Sequence, residues 1–362
     1  MISFWVTDAA RHCIDTYRRH RGAPIAGRFR TRLYDQFGSR VQVSHGTQIF
    51  AALDKLTGTQ RQIVSAIWDA HAAAAPAAAR LNDPRRTLLR FELLQALHQL
   101  GINRFRAWRA TDLDEVNRFP VFVRRESDHK GPRSGLLRTR SEVAAALRAL
   151  RLRGDALRNL MIVEFCDSSG RDGLFRKYSA FKVGTRIVAC HAMASRHWIV
   201  KSQRNEPDEI RIADEIEFME TNPHEAALRR VFEVAGIDYG RVDYGVVDGV
   251  PQVWEINLNP TLGHASASRR HTSLPDEVRA MRDRGRAAFH ERLLAAFVDI
   301  DTGHDDRETT VEIDEKLVAR LELEAAERRR RDWFLTRLRE VYAHPKLGVA
   351  ARFAFRRLFP RR

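Results

Sequence analysis

The stretch that decides the reading is RVDYGVVDGVPQVWEINLNPTLG, residues 241–263. Val242, Tyr244 and Val246 alternate with Asp243 and Gly245, and a second apolar run carries Val253, Trp254 and Ile256. Asp248-Gly249 between them is a strong hairpin signal, because the pair tolerates the positive φ angles of a tight turn. The stretch is predicted as two antiparallel strands followed by a polar, proline-bounded loop. Glu255 and Asn257 are two residues apart, so both leave one face of the second strand. The placement of Asp243 depends on one residue of register. A strict two-residue turn sets it opposite Trp254; a three-residue turn, or a bulge at Val250-Pro251, sets it opposite Glu255. In the second case two carboxylates and an amide oxygen form a hard-oxygen site suited to magnesium. Two acids that close repel one another in low dielectric and call for a cation. In the first case the acids simply form a solvated hairpin rim.

Composition bounds the rest. The chain has 362 residues, 44% of them hydrophobic, enough for one large core or two to three smaller ones. Cys13, Cys166 and Cys190 are odd in number and lack paired metal spacing, which predicts a reducing cytoplasmic setting with the thiols as small core residues. No apolar run is long enough to cross a bilayer, and MISFWVTDAARHCIDTYRRHRG lacks the core of a signal peptide. The formal net charge of +15 points to an anionic partner; nucleotide, nucleic acid, acidic peptide and anionic lipid all fit.

Along the chain, residues 5–20 read as helix, 22–48 show no clean period, and 48–56 read as a strand running into a turn. Residues 60–80 read as helix broken in two by Pro76. Asp83-Pro84 is predicted to open a helix with Leu88, Leu89, Leu93, Leu97 and Leu100 on its apolar face, stopped by Gly101. Short strands are expected at 105–109, 120–124 and 160–165, and a helix at 140–150. The loop RESDHKGPRSG, residues 125–135, has donors for phosphate but too few glycines for a phosphate motif, and no GxxxxGK[ST] sequence occurs. Strands at 178–183 and 186–191 flank Gly184, with a third starting near Trp198; Glu164, Arg176 and Lys177 then lie at edges of a small antiparallel sheet, with Lys201 further along. Arg and Lys there can neutralise a polyphosphate. His191 and His197 read as structural or surface residues. Residues 203–222 are acidic and polar, 224–236 helical, 275–299 helical, DIDTGHDDRE an acidic linker, and 311–342 helical.

The order of these pieces resembles the ATP-grasp superfamily, especially its carboxylate–amine ligase branch, which includes glutathione synthetase, ribosomal-protein glutamate ligases and D-alanine–D-alanine ligase. The resemblance covers about residues 80–264 and is carried by FPVFVR, MIVEF, FRKYSAFKVGTRIV and VDYGVVDGVPQVWEINLNP. It implies an α+β fold in which two α/β subdomains clasp a nucleotide, with a reduced N-terminal α/β domain and a helical basic C-terminal extension. The corresponding divisions are 1–80, 81–118 as a helical linker, 119–202 and 203–300 as the two grasp subdomains, and 301–362. Asp243, Glu255 and Asn257 match the positions that hold magnesium, with manganese as an alternative, against ATP phosphates, and Asn259 lies beside them. Arg124 and, more loosely, Arg90 fall where relatives carry nucleotide-contacting lysines. Glu164 with the Phe165 and Cys166 backbone matches the hinge that binds adenine and ribose, and Lys201 is grouped with these nucleotide contacts. Arg176, with Lys177 as its rival, matches the group that addresses the terminal phosphate or acyl phosphate. Arginine at both lysine positions keeps the charge but brings a larger fork.

The implied activity is ATP- and Mg-dependent condensation of a carboxylate with an amine, such as an amino acid or peptide, through an acyl phosphate. A small-molecule kinase of the same fold and a noncatalytic nucleotide-binding or scaffold protein are the alternatives. Many relatives associate through their terminal regions, so a homo-oligomer is among the expectations. Residues 328–362 carry twelve Lys/Arg and two Asp/Glu, with Trp333, Phe334, Leu338, Val341 and Tyr342 as an apolar stripe. Such a tail suits an anionic membrane or folds back on its own domain. It lacks the aromatic interleaving that favours nucleic acid.

Overall fold

A computed structural model of the chain describes residues 1–128, 131–201, 204–205, 207–262, 274–303 and 307–343. His129 and Lys130 of the basic loop, Gly263, and tail residues 344–362 lie outside the described residues, as do the side chains of Leu338, Val341 and Tyr342 in the expected stripe. The strands are β1 (Ile2–Val6), β2 (Phe29–Leu33), β3 (Arg40–Ser44), β4 (Thr47–Phe50), β5 (Arg80–Leu81), β6 (Ala107–Arg109), β7 (Val121–Arg125), β8 (Leu160–Glu164), β9 (Phe175–Val183), β10 (Arg186–Ser195), β11 (Tyr239–Val247), β12 (Val250–Asn257) and β13 (Glu308–Glu312). The helices are α1 (His12–Arg19), α2 (Gly58–Ala74), α3 (Arg90–Gln99), α4 (Arg140–Leu152), α5 (Glu209–Thr221), α6 (Glu225–Ala235), α7 (Asp276–Asp299) and α8 (Glu315–Ala343).

Two compact units are formed, each from two separate stretches of chain: Met1–Arg106 with Cys166–Glu312, and Ala107–Phe165 with Ile313–Arg362. The first holds a parallel sheet in the order β2-β1-β4-β5, an antiparallel sheet in the order β10-β9-β11-β12, and the small β3–β13 pair. Aromatic rings join the two larger sheets. Phe4 of β1 meets Tyr239 of β11 and Phe297 of α7 edge-on, with centroids 5.4 and 5.9 Å away. Asn82 fastens the same seam: its amide donates to Phe50 O and Tyr239 O, and its carbonyl accepts from the N–H groups of Asp238 and Tyr239. Its φ of 69° is left-handed, a conformation asparagine tolerates better than most residues.

The second unit is an antiparallel sheet, β6-β8-β7, with α4 packed on it. Val143, Leu147 and Leu150 recur at helical spacing on α4 and close over Val121, Val123, Leu160 and Ile162. Thr139 caps this helix by accepting the Glu142 N–H.

Several expectations need correction. Trp5 and Val6 belong to a strand, and the first helix begins at His12. Pro76 ends α2 rather than splitting it, and strand β5 follows. Asp83-Pro84 sits in a turn; the helix starts at Arg90, after Leu89. No strand begins at Trp198 among the described residues, and residues 209–221 form helix α5. Strands β2 and β3, in the stretch without a clean period, and β13 were not legible. The last is a five-residue edge strand whose Val311 alone is buried.

Candidate functional site

Strands β9, β10, β11 and β12 bring the decisive residues together. The turn is the strict two-residue one: Val247 pairs with Val250, and Asp248 and Gly249 have φ of 50° and 77°. That turn alone would set Asp243 opposite Trp254. A bulge at Trp254, not at Val250-Pro251, moves Asp243 into register with Glu255 and Arg241 into register with Asn257. Opposed residues share a face, so all four side chains leave the sheet on one side. On the other side of β11, Ser179 of β9 stands opposite Asp243.

Cations occupy this face. Lys177 Nζ donates to Asp243 Oδ2 at 3.0 Å, Arg241 Nε to Oδ1 at 2.9 Å, and the Ser179 hydroxyl to Oδ1 at 2.9 Å. Burial pushes the Asp243 carboxyl up, but Arg241 and Lys177 outweigh it and hold the group well below the usual carboxylate range. Arg90 of α3 donates through Nη2 to Glu255 Oε2. Asn257 Oδ1 accepts the Asn259 N–H at 3.0 Å, and the Asn259 amide donates to Ala10 O.

Arg176 and Lys177 are successive residues on β9 and point to opposite faces. Lys177 is the one that reaches Asp243. Arg176 makes a two-point pair with Asp172, at 3.0 and 2.6 Å, and holds that carboxyl down at about 2. It lines a cavity of about 280 Å³ with Tyr178, Arg211, Phe218 and His224. Arg90, which the resemblance groups with nucleotide contacts, meets the candidate metal residue Glu255. Lys201 has a half-buried side chain, and its carbonyl accepts the Arg204 N–H.

Within the three-stranded unit, Arg124 and Glu164 are buried on β7 and β8, at 8% and 5% exposure. Glu164 lies 3.6 Å from Arg118 Nε, and the Phe165 N–H donates to Pro120 O. Cys166, in the other unit, has a half-buried side chain.

Sequence reasoning missed Arg241, Ser179 and His191. The signal was available in part, since Arg241 and Ser179 stand two residues from Asp243 and Lys177 and share their faces. His191, read as structural or surface, hydrogen-bonds Ser179.

Among the described residues no group of three or more His, Cys, Asp or Glu side chains is arranged for a metal ion. The candidate set is a different one, two carboxyl groups and an amide on one face, and its oxygen donors are of the kind a hard divalent cation takes.

No family model matches the chain, and no curated protein matches it. Solved structures do match. One is an ATP-grasp RimK domain protein from Sphaerobacter thermophilus, at 14% identity over 84% of this chain and 100% of that one, with a TM-score of 0.44. Another is D-alanine–D-alanine ligase from Bacillus anthracis complexed with ATP, at 12% identity, 81% and 98% coverage and a TM-score of 0.42. A third is the ATP-grasp ligase PsnB, with a phosphomimetic precursor variant, Mg and ADP, at 11% identity, 83% and 96% coverage and a TM-score of 0.46. These likenesses are distant, at 11–14% identity.

Proposed function

We propose that the protein is an ATP- and magnesium-dependent ligase that joins a carboxylate to an amine. The observation that carries this reading is the register of β11 and β12, which sets Asp243 opposite Glu255 on the face that also bears Asn257, Lys177 and Arg241. A carboxylate oxygen of the first substrate attacks the γ-phosphorus of ATP, the bond to ADP breaks, and an acyl phosphate forms. The amine then attacks the acyl carbon, phosphate leaves, and the nitrogen loses its proton. No protein nucleophile is required, so the chain contributes alignment and charge.

Asp243, Glu255 and Asn257 would hold magnesium, which supplies charge neutralisation to the phosphate oxygens. Lys177 and Arg241 present fixed positive charge where negative charge develops, and Arg176 is assigned to the terminal phosphate by resemblance alone. Arg124, Glu164 and the Phe165 and Cys166 backbone are proposed as nucleotide contacts on the same ground, with Lys201 and Arg90 as further cations.

A second reading, a nucleotide binder without turnover, is favoured by one observation. Both candidate metal carboxylates already have guanidinium or ammonium partners, Asp243 with Arg241 and Lys177 and Glu255 with Arg90. The test is a Mg-ATP assay with pooled amino acids, small carboxylates and peptides, read by mass spectrometry. Ligation yields ADP, phosphate and an amide; a kinase leaves phosphate on its product; a binder yields nothing beyond bound ATP. Glu255→Ala is expected to abolish metal-dependent turnover while keeping the far-UV spectrum, and wild-type turnover in that variant removes the metal role.

A further inference from the structure

Beside the Lys177–Asp243 pair runs a line of polar side chains that the ligase reading leaves without a task. Cys190 Sγ lies 3.2 Å from His191 Nδ1, His191 Nε2 lies 2.8 Å from Ser179 Oγ, and Ser179 Oγ lies 2.9 Å from Asp243 Oδ1. Strand register builds the line. His191, Ser179, Asp243 and Glu255 stand opposite one another across β10, β9, β11 and β12. A bulge in β10 at Cys190 is what sets His191, rather than the cysteine, against Ser179. Both edge strands of this sheet therefore carry one extra residue, and each extra residue corrects one end of the same row.

The donor inventory fixes the direction of the line. Asp243 faces Arg241 and Lys177, so its carboxylate only accepts. Ser179 has a single proton and gives it to Oδ1. Its oxygen must then accept from His191, which places a hydrogen on Nε2 whether the ring is neutral or charged. A neutral ring leaves Nδ1 as acceptor for the Cys190 thiol, the weaker donor at the end of the line.

We propose that Ser179 and His191 are positioning residues that hold the Asp243 carboxylate in one rotation, with His191 in the Nε2–H tautomer. Ser179 and Arg241 Nε both donate to Oδ1 at 2.9 Å, while Oδ2 accepts from Lys177 at 3.0 Å and from Arg241 Nη2 only at 3.5 Å. Oδ1 is thus held by two short bonds, and Oδ2 is the oxygen with the weaker second partner. A carboxylate free to rotate would offer either oxygen, whereas this one is locked from the serine side. Only the consequence for a metal ion rests on the ligase reading; the order of the hydrogen bonds stands without it.

The test uses the full chain, free of nucleotide. In 15N-labelled protein, the long-range 1H–15N spectrum of the His191 ring is expected to show a protonated Nε2 and an unprotonated Nδ1. The opposite tautomer overturns the proposal. Titration with Mn2+, followed by electron paramagnetic resonance, supplies the second readout. Ser179→Ala and His191→Leu are each expected to weaken Mn2+ binding by about tenfold or more, as loss of an outer hydrogen bond to a metal ligand does. His191→Gln, which keeps an N–H donor, is expected to recover most of that loss. Equal losses in His191→Leu and His191→Gln, with matching melting temperatures, overturn the positioning role. A wild-type protein that binds no Mn2+ removes the ligase reading instead, and the ring tautomer then decides the order of the line by itself.

Discussion

The Lys177 ammonium stands 3.0 Å from Asp243 Oδ2, bridging two neighbouring strands of one sheet, while its sequence neighbour Arg176 points the other way to Asp172. Adjacent cations thus do separate work. Lys177→Met removes one of two charged partners from a largely buried carboxylate, and a charged hydrogen bond of that kind is worth about 1.5–3 kcal/mol. The urea midpoint is expected to fall accordingly, and ATP-dependent product to be lost. Arg176→Ala breaks a pair that is part-exposed on both sides, worth about 0–1 kcal/mol. Mn2+ binding at Asp243 is expected to survive Arg176→Ala. If it does not, the two faces of the sheet communicate in a way their geometry does not show.

How much of this was legible depended on which physical signal each residue carries. Alternation exposed the hairpin, and the Glu255–Asn257 spacing alone put both side chains on one face. The turn residues were also readable. The bulges were not: Trp254 and Cys190 are ordinary residues for a strand, and only pairing with β11 and β9 makes them extra. Register is a property of two strands, so the face that Asp243 shares could be posed as a choice but not decided. Arg90 shows a different limit. Its position opening α3 was readable only after the Asp83-Pro84 turn had been separated from the helix, and its partner Glu255 is 165 residues away.

Asn82 makes four hydrogen bonds to backbone groups, from a buried position with positive φ. Asn82→Ala leaves two carbonyls and two N–H groups in the seam of the larger unit without that partner. Each buried group left unpaired costs about 1–3 kcal/mol. A loss of several kcal/mol is expected in chemical denaturation, with the denaturant slope unchanged. Asn82→Asp keeps the acceptor but sets a carboxylate against two carbonyls, so it should recover only part of the loss. A variant as stable as wild type would mean that water replaces the amide without cost.

Three histidines give the protein an acid-side weakness. Burial pushes the His290 ring down to about 4, with Arg21 and Arg286 adding to it. Burial also lowers His71, which is left with the Gly46 carbonyl as partner and Arg80 nearby, and it lowers His224 beside Tyr244. A ring whose folded pKa is depressed takes up a proton on unfolding, so its contribution is complete above the ordinary value of about 6.5 and is lost as pH falls. The melting temperature is expected to drop as pH falls from about 6.5, with the His290 share lost by about pH 4. His290→Gln should flatten that part of the curve. A profile that rises toward acid over this range would contradict the assignment.

Arg90 occupies Glu255 Oε2 from a helix terminus, with only 6% of its side chain exposed. A guanidinium there supplies the positive charge that the carboxylate needs when no metal is bound, and it also competes with a metal for the same oxygen. Competition and support predict opposite outcomes. If the pair is a placeholder, Arg90→Gln destabilises the metal-free protein and tightens Mn2+ binding, because the carboxylate no longer has to give up a partner; a gain of about 1.4 kcal/mol reads as tenfold in the dissociation constant. If Arg90 instead orients Glu255 for the ion, the same change weakens Mn2+ binding and lowers turnover with it. The first outcome is expected, since the arginine donates directly to the carboxylate oxygen rather than to a group behind it. It should be visible as a larger rise in melting temperature on adding Mn2+ to Arg90→Gln than to wild type.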